Sequence, residues 1–185
     1  MNSEDFYDSI AEQYDTFFQD ESSKEEDAKV KEHLLAFDKL SEKRVLDIGC
    51  GTGLLLEMVD IVDYIGIDPS HAMLDVFKKK FPNKTALKTE FEDYHWLNNR
   101  EVLISLYGSI SYIDPNYLSD YLTHYHGEFY FMFYNDKYKP VTYDKAGNTA
   151  EHNNLFKYKF IDKWLKGANI FFLGNYVIFT SLENL

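Results

Sequence analysis

Only one cysteine, Cys50, occurs in 185 residues. An internal disulfide is therefore excluded, and nothing marks an oxidising compartment. Proline is scarce, at four, and no Pro- or Ser-rich linker, repeat or low-complexity tract divides the chain. It reads as one domain, 1–185. Positive charge is short: 19 Lys and Arg against 31 Asp and Glu leave a net charge of −12. That balance argues against broad phosphate-driven adhesion to nucleic acid or to an anionic membrane, and leaves room only for a local basic patch. No basic segment followed by an apolar core opens the chain, so no signal peptide is read. The richest apolar run, 168–182, is broken by Gly174-Asn175 and is too short to span a bilayer. A cytoplasmic protein with no membrane partner is expected.

Glycine is the informative shortage. There are nine, and three of them, Gly49, Gly51 and Gly53, fall within five residues. Aromatic residues run the other way, with fifteen tyrosines and fifteen phenylalanines. Most must fill a core, but Tyr107, Tyr112, Tyr134, Tyr138 and Tyr143 fall in segments expected around a site.

Residues 1–40 read as helical. Phe6, Ile10, Tyr14 and Phe17 make one apolar face, and Ser23-Lys24-Glu25-Glu26 has the spacing of a capping box that starts a second helix. From Arg44, strands alternate with helices: 44–48, 63–67, 85–89, 102–106 and 128–134. Helices are expected after Asp68-Pro69-Ser70 and from Pro115 to Gly127. This alternation calls for a doubly wound, mostly parallel α/β sheet. The segment 135–154 is the least regular and reads as a loop or insertion. A helix over 156–166 and two strands joined at Gly174-Asn175 complete 155–185, the last pair as an antiparallel hairpin. Seven strands are expected in all.

Ligands of such sheets lie at the carboxyl ends of the strands, where the topology reverses. The first strand ends in Asp47-Ile48-Gly49-Cys50-Gly51-Thr52-Gly53. Glycines at alternate positions permit positive φ and let a ligand lie against the backbone, and the next helix points its free amides into the same space. The spacing fits neither G-x-G-x-x-G nor a phosphate-binding P-loop. Nineteen residues after Gly49, Asp68 closes the second strand, where a carboxylate accepts both hydroxyls of a ribose. The competing reading of Asp68 is a helix N-cap. His124 and His126 lie two apart on one helix, face different directions and suggest no metal site.

The segments 45–53 and 66–74 (Gly66-Ile67-Asp68-Pro69-Ser70-His71-Ala72-Met73-Leu74) resemble the class I S-adenosylmethionine-dependent methyltransferases, small-molecule type. The opening Phe6 to Asp15 resembles the helix that many of these enzymes fold over the cofactor. Weaker likeness continues through 89–93 and 103–113, so that residues 6 to 135 are covered. The resemblance implies a Rossmann-like fold, with 1–40 as an N-terminal helical cap over the cofactor site, 44–134 as the cofactor-binding core, and an antiparallel C-terminal strand. It implies S-adenosylmethionine as cofactor and S-adenosylhomocysteine as product. The turn Gly49, Cys50, Gly51, Gly53 would hold the methionine part, with Asp47 near its amino group, Asp68 on the ribose, and Pro69 and Met73 along the adenine. Glu90 would accept from the adenine amine, with the Phe91 amide facing the ring. Tyr14 and Leu106 complete the expected cofactor set.

Leu106-Tyr107-Gly108-Ser109 stands where amino-methyltransferases of nucleic acids carry an Asn/Asp-Pro-Pro-aromatic motif, and it lacks that motif. Methyl transfer to N or O of a small molecule is therefore expected, with Tyr7, Tyr107 and Tyr112 against the acceptor and the short turn at Gly174-Asn175 contributing little. No general base is assigned, and neither His95 nor any tyrosine is singled out for that role. Two rivals stand beside this reading. One is a methyltransferase acting on RNA or protein, with Lys78-Lys79-Lys80 as the local basic strip; the other is a cofactor-binding partner protein without activity.

Overall fold

The computed structural model describes residues 3–94, 100–135, 153 and 168–182. The expected loop 135–154 lies outside them except for Asn135 and Asn153. The expected helix 156–166 and residues His95, Tyr138 and Tyr143 lie outside them altogether.

Seven strands form one sheet: β1 (Val45–Ile48), β2 (Tyr64–Asp68), β3 (Thr85–Lys88), β4 (Val102–Ser105), β5 (Glu128–Tyr134), β6 (Asn169–Leu173) and β7 (Tyr176–Thr180). Their order is β3-β2-β1-β4-β5-β7-β6. Strands β1 to β5 pair in parallel, and β7 runs antiparallel to both β5 and β6. The mostly parallel, seven-stranded, Rossmann-like expectation holds, including the antiparallel strand near the end.

Side chains alternate across this sheet, and both faces are covered. Val45, Val102, Ile104, Tyr130 and Met132 join one core cluster with residues of helices α2 (Glu21–Leu35), α3 (Leu54–Met58) and α4 (His71–Lys80). Leu46, Ile48, Leu103, Phe129, Phe131 and Phe133 join the other with Leu118 and Leu122 of helix α5 (Pro115–His124). Burial on both faces is why the central strands read as unbroken apolar runs rather than alternating ones. The ring of Tyr130 is fully buried, and its hydroxyl meets His33 Nδ1 of α2 at 2.9 Å. That bond satisfies the one polar atom this core position carries.

The N-terminal region differs from expectation in detail. Helix α1 covers Ser3–Ile10, then tightens into a 3-10 helical stretch over Ala11–Phe18. Helix α2 starts at Glu21 because Asp20, not Ser23, is its cap: the Asp20 carboxylate accepts the Ser23 N–H at 3.1 Å. Phe6 and Ile10 form a small third cluster with Tyr7, Tyr14 and Tyr112, apart from the two sheet cores. Among the described residues no helix is long and apolar enough to cross a membrane.

Because this third cluster is small, deleting residues 2–18 is expected to leave a cooperatively folding sheet. Thermal unfolding followed by circular dichroism checks this. Loss of a cooperative transition would show that the cap is part of the core.

Candidate active site

From β1 the chain builds outward in both directions, to β2 and β3 on one side and to β4 and β5 on the other. The crevice at this switch point is where the topology leaves room for a ligand. After Ile48 the backbone turns through positive φ at Gly49 (71°), Gly51 (51°) and Gly53 (99°). Gly49 and Gly51 serve different ends. A Cβ on Gly49 would lie 2.3 Å from Ser109 Cβ, so its absence lets the turn that follows β4 pack close. A Cβ on Gly51 would meet nothing within 4 Å, so the bare backbone there faces open space.

Asp68 ties this turn to the next unit. Its Oδ2 accepts the Gly51 N–H at 2.9 Å, and its Oδ1 accepts the Ser70 N–H at 2.8 Å. The cap of α4 is Ser70, whose Oγ accepts the Met73 N–H at 3.1 Å. Asp68 is thus a bridge between two loops and not the helix cap. Burial pushes its carboxyl up to about 6, against the pull of the two amides, and Asp8 adds to the rise. Asp47 lies deeper, 2% exposed, where burial pushes it up to about 7 although the Tyr64 hydroxyl donates to it at 2.8 Å. Burial also raises the Cys50 thiol well above its ordinary value, so it is not poised as a thiolate.

A cavity of about 130 Å³ opens beside Asp68. Of the residues expected at the cofactor, Gly49, Asp68, Pro69, Glu90 and Phe91 line it, together with Tyr7, Ser109 and Tyr112. Others fall elsewhere. Met73 and Leu106 point into the core, at 2% and 7% exposed, and line neither this cavity nor the next. The resemblance implies cofactor contacts for both, and in this structure their side chains are buried. Asp47 and Cys50 sit beneath the turn rather than on the cavity wall.

A second cavity, about 620 Å³, lies on the other side of Tyr7, which lines both. Tyr14, Thr52, Leu54, Tyr107, Tyr134 and Tyr176 are among its walls. Tyr7 and Tyr112 close the partition with their hydroxyls 3.1 Å apart and their rings edge-on at 5.9 Å. Tyr112 therefore faces the smaller cavity, whereas Tyr14 faces the larger one. Asn175 and Tyr176 also line the larger cavity. The tight hairpin turn was expected to contribute little; instead, its brevity sets Tyr176 against Tyr107, with ring centroids 5.4 Å apart.

Polar bonds hold the cap over this site, and no sequence motif announced them. Asp8 Oδ1 accepts from Ser70 Oγ at 2.5 Å and from the Ala72 N–H at 3.1 Å, at the start of α4 where a carboxylate suits the helix dipole. Asp15 accepts from Thr52 Oγ1 at 2.6 Å and pairs with Lys80 at 2.9 Å. Lys80 also pairs with Glu57, so the end of the Lys78-Lys79-Lys80 strip is spent inside the protein. Tyr107 stands at positive φ (48°) with its hydroxyl donating to Asp27 of α2. A non-glycine residue in that region costs about 1–2 kcal/mol, which these contacts offset.

Residues 45–127 match the family model described as a methyltransferase domain. A stretch of 54 residues is 41% identical to the ubiquinone/menaquinone biosynthesis C-methyltransferase UbiE of Campylobacter jejuni, covering 24% of this chain and 23% of that protein. The chain thus spans under a quarter of the length of the curated relative it matches. Among solved structures the fold is similar to DesVI of Streptomyces venezuelae (TM-score 0.60, 15% identity, 92% of this chain and 97% of that one). It is also similar to DhpI in its SAH complex (0.68, 12%, 94% and 91%). A third similar fold is the Synechocystis magnesium protoporphyrin IX methyltransferase with bound SAH (0.67, 16%, 96% and 95%). Residues 45–127 thus match a methyltransferase domain, and the Rossmann-like fold around them is that of these solved structures.

Two predictions follow from the turn and its buried acids. Gly51→Ala should cost about 1–2 kcal/mol of stability, the price of positive φ alone, whereas Gly49→Ala should cost clearly more through its clash with Ser109. Equal losses in thermal unfolding would contradict the assignment. The second concerns Asp47. A carboxyl raised in the folded state contributes stability that is full below its unfolded value of about 3.9 and lost as pH rises through its folded value. Asp47→Asn should therefore raise the melting temperature relative to wild type more at pH 8 than at pH 5, by no more than about 4 kcal/mol in free energy. A pH-independent difference would refute burial as the cause.

Proposed function

We propose that this protein moves a methyl group from S-adenosylmethionine to N or O of a small-molecule acceptor. The observation that carries the reading is the bare Gly51 backbone tied to Asp68 at the switch point, beside one small cavity and across Tyr7 from a larger one.

The residues present fit the cofactor. A carboxylate offers about four lone-pair sites, and Asp68 spends two on backbone amides, which leaves two for ribose hydroxyls. Pro69, Glu90 and Phe91 line the same cavity and would bound the adenine. The turn 49–53 would hold the methionine part, supported from below by Asp47 and from the cap by Tyr14. When bound, S-adenosylmethionine supplies a methyl carbon made electrophilic by its positive sulfur. The chain's own task is then to align a nucleophile and to exclude water. The cap does the second: Tyr7 and Tyr112 partition the site, and Asp8 and Asp15 hold the roof down.

The larger cavity is the acceptor site in this reading. At about 620 Å³ it falls in the range of about 300–1,000 Å³ usual for small-molecule sites. A macromolecular acceptor would need an open approach and, for RNA, free basic side chains; Lys80 is already paired twice.

Calorimetric titration is expected to show binding of S-adenosylhomocysteine and none of NAD, and the reverse would overturn the proposal. Asp68→Ala should weaken that binding by about 1.5–3 kcal/mol, the scale of hydrogen bonds to a charged group. Because burial raises Asp68 to about 6, affinity should fall as pH drops below that value and the carboxylate is protonated. A flat profile between pH 5 and 8 would remove Asp68 from the ribose. Transfer of labelled methyl into small-molecule, RNA or protein pools separates the acceptor classes, and no transfer despite tight binding would indicate an inactive partner protein.

A further inference from the structure

The larger cavity has a wall of a particular chemistry. Tyr7, Tyr14 and Phe18 come from the cap, and Tyr107, Tyr134 and Tyr176 from the strand ends. These rings form two contiguous strips: Tyr7 to Tyr14 to Phe18 at centroid distances of 6.1 and 5.2 Å, and Tyr107 to Tyr176 to Tyr134 at 5.4 and 5.6 Å. The same wall holds five carboxylates, Asp15, Asp20, Glu26, Asp27 and Glu57, against two lysines, Lys24 and Lys80.

Three of the five are already engaged. Asp15 and Glu57 share Lys80, and Asp20 is spent on the cap of α2. Glu26 and Asp27 have no cationic partner among the described residues: Asp27 accepts only the neutral Tyr107 hydroxyl, and Glu26 feels Lys29 without pairing to it. Both are partly buried, and burial raises both carboxyls, Glu26 further through its neighbour Asp27. Two adjacent carboxylates that share a cavity wall with aromatic rings would be stabilised by a cation hydrogen-bonded by the acids and laid on the rings.

We propose that the larger cavity takes a protonated amine, and that Glu26 and Asp27 are the residues that select it over an alcohol of the same shape. This rests on the methyltransferase reading and narrows its acceptor to nitrogen. An ammonium group cannot attack a methyl carbon until it loses a proton, and the carboxylates that recognise it can take that proton. The freed lone pair then forms the N–C bond, the C–S bonding pair stays on sulfur, and the methylated nitrogen carries the positive charge that sulfur gives up.

The test uses the full chain, with benzylamine and benzyl alcohol as matched probes titrated in the presence of S-adenosylhomocysteine. At pH 7.5 and low salt, benzylamine is expected to bind at least tenfold tighter. That preference should shrink to threefold or less in Asp27→Asn and in Glu26→Gln, and also on raising the salt for the wild-type protein. Equal binding of the two probes, or tighter binding of the alcohol, in protein that takes up S-adenosylhomocysteine overturns the amine site and leaves the methyltransferase reading standing. Benzylamine binding in protein that takes up no S-adenosylhomocysteine supports the ammonium site and removes the methyltransferase reading. Should the variants fail to fold, the wild-type preference and its salt dependence still decide.

Discussion

The Asp68 carboxylate holds the site together. One oxygen fixes Gly51 in the turn after β1, and the other fixes Ser70 at the start of α4. The two loops that bound the crevice thus cannot move apart without stripping a buried acid of its donors, which is among the costlier losses a fold can suffer. The cap is fastened to neighbours of the same two points. Asp8 reaches Ser70 and Ala72, and Asp15 reaches Thr52. Cap, turn and helix start form one hydrogen-bonded frame around Asp68, built where the sheet topology leaves a gap.

That frame is rigid below and lightly held above. The sheet is sealed by two large apolar clusters, whereas the cap contributes a cluster of two buried side chains, Phe6 and Ile10, with three tyrosines packed on it. Segments with few buried contacts open at low free energy. The smaller cavity, at about 130 Å³, is below the range of about 300–1,000 Å³ usual for ligand sites. In the proposed reading, room for a nucleoside with its amino-acid tail comes from moving Tyr7, which lines both cavities. Ligand entry in that reading runs through the weakly held cap, with the sheet fixed.

The sequence disclosed what is local. Strand β1 and the glycines after it are legible because apolar run, turn chemistry and helix start all lie between Val45 and Leu54, and Asp68 is legible because it ends the next strand. The sheet followed from alternation of such units. What the sequence does not show is tertiary facing. Met73 and Leu106 are apolar residues close to the site, and only packing decides that they turn into the core. The cap of α2 was misplaced by three residues because Asp20 and Ser23 are both competent caps. The partners that shape the larger cavity, Asp27 with Tyr107 and Asp15 with Thr52, are separated by 80 and 37 residues and leave no periodic trace. Gly174-Asn175 was read for the length of its turn, while its effect on the site comes from what Tyr176 meets.

The central claim is spatial: cofactor beside Asp68, acceptor across Tyr7. A crystal structure with bound S-adenosylhomocysteine tests it most directly. The account predicts both ribose hydroxyls within hydrogen-bonding distance of Asp68, the amino-acid tail lying over Gly51, and the sulfur facing the cavity walled by Tyr107 and Tyr176. Ligand bound elsewhere, or an adenosine that leaves Asp68 without a new partner, would contradict it.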